Sequence, residues 1–227
     1  GNRMKKTRYG KWSVCLAAAA VILTMAAGMT ADAEDADTQN DNMQKAPGET
    51  ICSVDGVGYP SLQEAVDAVS GSGVVVLEKA VTNLKTADIV TIPEGKDVTF
   101  DMAGKSIAID PSDFDGRVFV NRGSLTITGN GTIDTTGNVN GLGPVENYGT
   151  LTIENGTYKG SRDTNAVGIW NRAGGTAYFE GGTYENFPTV IRTAFGSTTV
   201  ISGGTYTNDL YPAIENDGGD DDHRRNI

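Results

Sequence analysis

Residues 147–158 read N-Y-G-T-L-T-I-E-N-G-T-Y, and variants of this stretch recur along the second half of the chain. Each complete variant begins at an anchor position, continues through a glycine and a short alternating run, and closes on Gly-Thr followed by an aromatic or aliphatic residue, while the final copy, at Asn216, is partial. The anchor positions are 26, 24, 22 and 23 residues apart and are occupied by Asn121, Asn147, Asn171, Thr193 and Asn216. A period in the low to mid twenties is typical of a solenoid. One such unit cannot bury its apolar side alone, so neighbouring units must stack.

The alternating runs predict an all-β chain in which each repeat forms one coil of a parallel β-helix, over residues 50–218. Period-two alternation assigns every second side chain to the interior. One predicted inward set is Leu125, Ile127, Leu151, Ile153, Ala177 and Phe179, and a second is Phe119, Val145, Ile169, Ile191 and Ile214. The intervening side chains point outward on two faces: Thr126, Thr152 and Tyr178 on one, and Glu146, Trp170, Arg192 and Glu215 on the other.

A single helix precedes the coils, within residues 57–69. Ser61 and Glu64 have the spacing of a capping box. Leu62, Ala65, Val66 and Val69 fall on one face at helical spacing. An uncovered strand edge invites pairing with other chains, so we expect this helix to cap the N-terminal end of the solenoid.

The first 33 residues have the layout of a secretory signal: a basic start, an apolar Ala-rich run, and a small-x-small cleavage site at residues 31–33. An uncleaved single-pass anchor is the alternative. Residues 34–49 are polar and acidic without aromatic residues, which predicts a disordered linker. After cleavage Cys52 is the sole cysteine, so no intramolecular disulfide is available.

The net charge of the chain disfavours several classes of binding partner. Five of the 18 basic residues lie within the first 31 residues, which contain no acid, so the remainder carries 13 basic and 29 acidic residues, a net charge of −16. Such a surface repels nucleic acid and anionic lipid. It also disfavours unaided binding of polyanionic polysaccharides. Contact with a membrane is therefore expected only through an uncleaved signal or through a C-terminal anchor beyond this sequence.

The segment 219–227 has no strand pattern and contains an acidic run that ends at His223. It is interpreted as a disordered tail or as the truncated start of further coils or an attachment module. His223 is the only histidine of the chain, so neither a multi-histidine metal site nor a Ser-His triad with another histidine can be assembled.

A family resemblance adds to this interpretation. It rests on G-Y-P-S-L-Q-E-A-V at 58–66, I-P-E-G-K-D-V-T-F-D-M-A-G-K-S-I at 92–107, and the G-x-L-T-I and G-T-Y repeats that follow. Over residues 57–218 the chain resembles the right-handed, pectate-lyase-like β-helix superfamily, and in particular repeat-containing surface proteins secreted by bacteria. The resemblance implies a right-handed parallel β-helix of about five to six coils. It also implies adhesion, glycan contact or polysaccharide cleavage, although one fold hosts many functions.

Candidate contact residues lie on the outward faces and in one loop. Trp170 offers an aromatic face and Arg192 a fork of donors, which together suit a sugar. Tyr178 is a further outward aromatic residue, and Arg162 and Asp163 lie in a loop with charges of both signs. The alternative for each is an ordinary solvated surface. Asn121, Asn147, Asn171 and Asn216 are assigned to a structural ladder, because asparagine tolerates left-handed turns and can hydrogen-bond to the next coil.

A catalytic centre is not predicted. Glycoside cleavage needs two carboxylates about 5–10 Å apart. Glu146 and Glu215 share a column but are expected three coils apart, at roughly 14 Å given the spacing of paired strands. The acids of residues 110–116 fail the calcium-loop pattern because Pro111 and Arg122 occupy ligand positions. That leaves at most a loosely ordered cation site, and no metal or cofactor is assigned.

The sequence thus favours an exported or cell-surface β-helix module that makes non-catalytic contact with glycans or with a host or cell-surface protein. The first alternative is a fragment of a polysaccharide lyase or glycoside hydrolase whose active-site coils are partly missing from this sequence. The second is a purely structural spacer. An enzyme requires convergent acids and a base on adjacent coils, whereas an adhesin requires only outward aromatic and polar columns.

Overall fold

The structure, a computed structural model, describes residues 48–138, 143–162, 167–207 and 212–223. Residues 220–223 are described through their backbone alone. The predicted signal segment at 1–33 and nearly all of the predicted linker at 34–49 lie outside the described residues. So do residues 224–227. Within the described part of the chain, no helix has the length and apolarity needed to cross a membrane.

The described chain is a parallel β-helix of about five turns with one short α-helix, as the repeats predict. In chain order the elements are β1 (Cys52–Val54), β2 (Val57–Tyr59), α1 (Leu62–Ala68), β3 (Ser72–Leu77), β4 (Val81–Leu84), a 3₁₀ turn (Thr86–Asp88), β5 (Val90–Ile92), β6 (Asp97–Asp101), β7 (Ser106–Ile109), β8 (Phe119–Asn121), β9 (Ser124–Thr128), β10 (Thr132–Asp134), β11 (Val145–Asn147), β12 (Thr150–Ile153), β13 (Thr157–Lys159), β14 (Val167–Asn171), β15 (Thr176–Phe179), β16 (Thr183–Glu185), β17 (Thr189–Ala194), β18 (Thr198–Ile201), β19 (Thr205–Tyr206), β20 (Ile214–Asp217) and β21 (Asp220–His223).

From β3 onward the chain places one strand in each of three sheets before it repeats. Sheet A has the order β2-β1-β3-β6-β9-β12-β15-β18-β21, sheet B has β4-β7-β10-β13-β16-β19, and sheet C has β5-β8-β11-β14-β17-β20. All pairings from β3 onward are parallel and join strands one coil apart. This topology brings equivalent residues of successive repeats into columns.

The predicted inward columns are confirmed by the register. In sheet A, Leu125 pairs with Leu151, and Leu151 pairs with Ala177. Two residues further along each strand, Ile153 pairs with Ile127 and with Phe179. In sheet C, Val145 pairs with Phe119 on one side and Ile169 on the other. These side chains are fully or almost fully buried, so the core is one continuous stack along the solenoid axis. Adjacent coils thereby bury the apolar face that a single repeat leaves exposed.

Sheet B contributes a stack of tyrosine rings from the Gly-Thr-Tyr triplets. The ring centroids of Tyr158 and Tyr184 are 5.0 Å apart, those of Tyr184 and Tyr206 are 4.8 Å apart, and each pair is within 13° of parallel. These separations match the spacing of paired strands, about 4.8 Å. Each hydroxyl donates to the carbonyl oxygen three residues earlier, at 2.9, 3.1 and 2.8 Å in chain order. The buried hydroxyls are therefore satisfied within their own turns.

The N-terminal end of the solenoid is covered by α1 and by a β-hairpin, as predicted for a cap. The Oγ atom of Ser61 accepts from the backbone N–H of Glu64 at 3.2 Å, and the apolar side of the helix is buried. Strands β1 and β2 pair antiparallel, and β1 also pairs antiparallel with β3. The hairpin thus occupies the edge of sheet A that the parallel coils would leave open.

Two polar side chains join the helix to the first coils. The side-chain amide of Gln63 accepts from the backbone N–H of Thr91 at 2.7 Å and donates to the carbonyl oxygen of the same residue at 3.1 Å. It therefore substitutes for a neighbouring strand at the edge of sheet C. The ammonium group of Lys96 donates to the carbonyl oxygens of Val66 and Asp67 at 2.9 and 3.0 Å, which satisfies the C-terminal end of α1.

At the other end, the structure differs from the expectation of a tail without strand pattern. Residues 220–223 form β21, which pairs parallel with β18 and continues sheet A by one strand. A short acidic run offers little period-two signal, so the strand is defined by its pairing and not by its own composition. Of the segment 219–227, only residues 224–227 lie beyond the described chain.

Candidate functional site

The anchor asparagines of sheet C form a buried chain of side-chain hydrogen bonds. The Nδ2 atom of Asn121 donates to Oδ1 of Asn147 at 2.8 Å, and Nδ2 of Asn147 donates to Oδ1 of Asn171 at 2.9 Å. All three residues are fully buried. Each amide also donates to the backbone carbonyl oxygen of the first residue of the sheet A strand in the next coil, at residues 150, 176 and 198. The ladder therefore joins successive coils at the corner between sheets C and A.

The ladder ends where the repeat departs from asparagine. Asn171 donates to Oγ1 of Thr199 at 3.0 Å, because Thr193 takes the anchor position in the next coil. At the start, Ile92 pairs with Asn121, and Oδ1 of Asn121 is buried with no hydrogen-bond partner among the described residues. Asn216, assigned to the ladder from the sequence, is exposed, and its Nδ2 and Oδ1 atoms bond within its own turn, to residues 219 and 218.

The outward face of sheet C carries the column in which a sugar-contact strip is predicted. The register places Glu146 beside Trp170, Trp170 beside Arg192, and Arg192 beside Glu215. The two carboxylates are therefore separated by two intervening strands, as expected. A second column, two residues further along the chain, lies next to the first and contains Arg122, Tyr148 and Arg172.

Side chains from these two columns, together with Arg117, form a single cluster that we call the arginine patch; it comprises Arg117, Arg122, Glu146, Tyr148, Trp170, Arg172 and Arg192. Its centre is Trp170, whose ring centroid lies 3.3 Å from the guanidinium carbon of Arg172 and 4.8 Å from that of Arg192. The guanidinium carbon of Arg117 is 5.5 Å away. Cation–π contacts of this kind contribute about 0.5–2 kcal/mol each.

The ring of Trp170 does not present the open aromatic face that a sugar-contact strip would offer. The ring of Trp170 is half-buried and already stacked by arginine, and its Nε1 atom is buried with no hydrogen-bond partner among the described residues. Nε of Arg192 lies 2.7 Å from Oδ2 of Asp217, so part of its donor fork is occupied. A ligand approaching this face therefore meets arginine and tyrosine side chains before the indole.

Glu146 is the carboxylate at the centre of the patch. Oε2 lies 3.3 Å from Nε of Arg117, Oε1 lies 3.0 Å from Nε of Arg172, and the hydroxyl of Tyr148 donates to Oε1. Burial by itself would raise the pKa of Glu146, but the hydrogen bond from Tyr148 and the two arginine charges outweigh it and lower that pKa. The same hydrogen bond raises the pKa of Tyr148. Glu146 is thus held ionised and is poorly suited to donate a proton.

Arg117 is the charged residue of the patch that no sequence pattern singles out. It is 2 % exposed, and its buried guanidinium is compensated by Glu146. Burial lowers the pKa of Arg117 to about 10, and the charge of Glu146 opposes that shift. A buried ion pair that loses one partner leaves an uncompensated charge. The pair therefore locks the turn before β8 onto the outer side of β11.

Arg122 and Tyr148 form the exposed margin of the patch. The guanidinium carbon of Arg122 lies 4.3 Å from the ring centroid of Tyr148, and that of Arg172 lies 5.8 Å from the same ring. Arg122 is exposed, and no carboxylate of the described chain lies within salt-bridge distance of it. By contrast, Arg117, Arg172 and Arg192 each have a carboxylate partner.

The remaining predicted contact residues lie apart from this cluster. Tyr178 is 39 % exposed but belongs to β15 in sheet A, where it pairs with Thr152 and Val200. Arg162 is exposed in the loop after β13. Asp163 lies outside the described residues. The structure therefore brings Trp170 and Arg192 together and places Tyr178 on a different sheet.

The acidic loop at residues 110–116 is organised by its own hydrogen bonds. Oδ1 of Asp110 accepts from the backbone N–H and the hydroxyl of Ser112, at 3.0 and 2.6 Å, and these bonds lower the pKa of Asp110. Asp113 lies 3.9 Å from Lys85. Across the described ranges, no three His, Cys, Asp or Glu side chains come close enough to hold a metal ion.

Part of the patch could have been found from the repeat itself. Arg122, Tyr148 and Arg172 each follow an anchor asparagine, so the alignment that yields the ladder also yields this second column. Arg117 has no such signal, because it precedes β8 and the first anchor asparagine and so lies outside the aligned repeats; it is recognised only by its burial.

Comparison with known proteins identifies no relative of this chain. The chain matches no protein-family model, no curated protein and no solved structure.

Proposed function

We propose that this chain is a non-catalytic contact module of a secreted or cell-surface protein, and that the outer face of sheet C binds a glycan. The observation that carries the proposal is the arginine patch, in which four arginines and two aromatic side chains gather on one face of a chain with a net charge of −11.

The chemistry of the patch suits a polar ligand. Guanidinium groups that are stacked on rings are pre-organised, so they lose less conformational entropy when they donate to ligand oxygens. The side chains of Arg172 and Arg192 are 31 % and 32 % exposed, which leaves donors directed to solvent. Sugar hydroxyls and carboxylates are natural acceptors for such donors.

The same geometry favours contact over cleavage. Glycoside hydrolysis requires a carboxylic acid that is protonated at working pH and a second carboxylate about 5–10 Å away. Glu146 has a lowered pKa and lies within salt-bridge distance of two arginines, and Glu215 is three coils further along the same column. A glycoside hydrolase fragment is therefore less supported than a contact module, and so is a spacer, which needs no such patch. The polysaccharide lyase alternative is tested by the assay for unsaturated products.

The proposed setting follows from the sequence: a signal-like segment at 1–33 and a resemblance to pectate-lyase-like surface proteins secreted by bacteria. In this setting the module is exported and displays sheet C to glycans of a neighbouring surface.

A glycan array probed with the full chain tests the proposal, alongside an assay for unsaturated or reducing-end products on the bound glycans. We expect binding without product release. Arg192→Ala should reduce binding, whereas the matched substitution Tyr178→Ala on sheet A should leave it within about twofold. Product release by the unmodified chain would contradict the non-catalytic assignment, and dependence on Tyr178 instead of Arg192 would move the contact face to sheet A.

A further inference from the structure

We propose that an open groove at the corner between sheets C and A binds a saccharide that carries an oxyanion, with Arg122 as the residue that recognises it. The oxyanion is a carboxylate or a sulfate ester, since both present oxygen pairs to a guanidinium fork. This inference rests on the glycan-contact function proposed above and specifies the ligand class and the residue that selects it.

Arg122 is an exposed arginine at the edge of the patch. Its guanidinium is held against the ring of Tyr148 at 4.3 Å and is exposed. The other three arginines of the patch have carboxylate partners, Glu146 for two of them and Asp217 for the third. Within the described chain, Arg122 is thus the patch arginine with no carboxylate at salt-bridge distance. Contact with the ring of Tyr148 restricts the guanidinium of this exposed residue, so less conformational entropy is lost when it binds.

Arg122 also lines a groove at the corner between sheets C and A. An open groove with a volume of about 350 Å³ is lined by Asp97, Arg122, Gly123, Ser124, Gly149 and Thr150, among others. That volume lies within the range of small-molecule sites, about 300–1,000 Å³. The groove therefore has room for one or two sugar rings next to the guanidinium.

Two glycines of the groove lining allow adjacent coils to pack closely at this corner. A Cβ atom on Gly123 would clash with the carbonyl oxygens of Pro93 and Lys96, and one on Gly149 would clash with the carbonyl oxygen of Gly123. A larger residue at either position would therefore separate the coils that carry the groove.

The walls supply hydroxyl groups and charges. Ser124 and Thr150 are register partners on adjacent strands, so their side chains lie side by side along the groove. They suit ring hydroxyls, because each side-chain hydroxyl both donates and accepts. The ammonium group of Lys96 donates to the C-terminal carbonyl oxygens of α1, so it is engaged in the cap. Asp97 is the one carboxylate of the lining, which leaves Arg122 to balance the charge of an oxyanion.

Isothermal titration of the full chain tests the inference with three trisaccharides of one backbone: neutral, carboxylated and sulfated. We expect the carboxylated or the sulfated form to bind about tenfold or more tightly than the neutral one, and the comparison of these two arms identifies the oxyanion. Arg122→Ala should remove that preference. Arg122→Lys should recover only part of it, because lysine keeps the charge but loses the fork. Lys159→Ala, which removes a positive charge from sheet B, is the matched control and should leave it unchanged.

Different results would overturn the oxyanion site and the glycan-contact function. Equal affinity for neutral and anionic trisaccharides, or an Arg122→Ala variant that retains the preference, overturns the oxyanion site while glycan contact stands. If neither the trisaccharides nor the wider array of glycans binds the unmodified chain, both are overturned. Thermal melting of each variant verifies that it is folded, and Arg122 is exposed, so a loss of binding without a loss of stability is interpretable.

Discussion

The Nδ2 atom of Asn121 donates a hydrogen bond of 2.8 Å to Oδ1 of Asn147, and both side chains are completely buried. The two residues are 26 positions apart in sequence, yet they occupy the same place in adjacent coils. A buried amide whose partners lie in two neighbouring coils couples three coils through one side chain. Its removal should therefore be felt beyond its own turn.

Asn147→Ala is expected to lower the free energy of unfolding by about 2–4 kcal/mol, because it leaves donors or acceptors of Asn121 and Asn171 buried without partners. Urea denaturation measures the change. Asn216→Ala is the matched control, since that residue is exposed, and it should change stability by less than about 1 kcal/mol. Equal effects of the two substitutions would contradict a structural role for the buried ladder.

Glu146→Gln should destabilise the chain at neutral pH by about 2–4 kcal/mol, because the buried charge of Arg117 then loses its counter-ion. The folded chain lowers the pKa of Glu146. The stability that this ionised carboxylate contributes is therefore fully present above the pKa of the unfolded chain, and it is lost as the pH falls through the lower pKa of the folded chain.

The difference between Glu146→Gln and the unmodified chain should accordingly shrink as the pH is lowered from 7 towards 3. Denaturant unfolding across this range provides the measurement. A difference that stays constant with pH would show that the loss is one of packing and not of charge.

Tyr184 occupies the middle of the tyrosine column, with ring neighbours on both sides. Tyr184→Ala should cost about 3–5 kcal/mol through the cavity it leaves. Tyr184→Phe should cost only about 1 kcal/mol, for the lost hydrogen bond to the carbonyl oxygen of Gly181. Thermal or urea unfolding separates the two, and a phenylalanine variant as unstable as the alanine variant would rule out ring packing as the main contribution.

Alkaline titration gives a second check on the same column. Burial raises the pKa of Tyr158 and Tyr184 above the ordinary value of 10.0, so both remain protonated in the folded chain where exposed tyrosines ionise. Their contribution to stability is fully present below pH 10 and declines as the pH rises further. Phenolate absorbance should therefore appear in two steps, the second coinciding with unfolding.

Gln63→Ala tests the cap at the edge of sheet C. The substitution removes both hydrogen bonds to the backbone of Thr91 and should accelerate hydrogen exchange of the Thr91 amide, with a loss of about 1 kcal/mol in stability. Gln63→Glu keeps the acceptor for the Thr91 N–H and should protect that amide better than alanine does. Unchanged exchange in the alanine variant would contradict the strand-like role of this side chain.

The sequence was sufficient for the architecture because period and alternation act at every coil. The stacking of Leu125 on Leu151 and of Phe119 on Val145 follows from spacing alone, and the register confirms it. The N-terminal helix was likewise predictable from Ser61 and its apolar spacing. Repetition averages out the ambiguity that a single short strand carries.

The surface was harder to predict because it depends on side-chain direction and not on period. Trp170 and Arg192 were correctly expected to be neighbours. That Arg172 would cover the indole ring depends on how a long flexible side chain folds back over its own strand. The burial of Arg117 depends on the path of a non-repeating turn, and the strand at Asp220–His223 depends on pairing with β18.

The column of Tyr158, Tyr184 and Tyr206 also gives the molecule an intrinsic optical probe. Three parallel rings about 5 Å apart in fixed orientation should couple their electronic transitions and give the chain a distinctive near-ultraviolet circular dichroism spectrum. That signal reports fixed side-chain packing and disappears when packing is lost while secondary structure remains. Separation of the coils along the axis can thus be followed in the native chain without an added fluorophore.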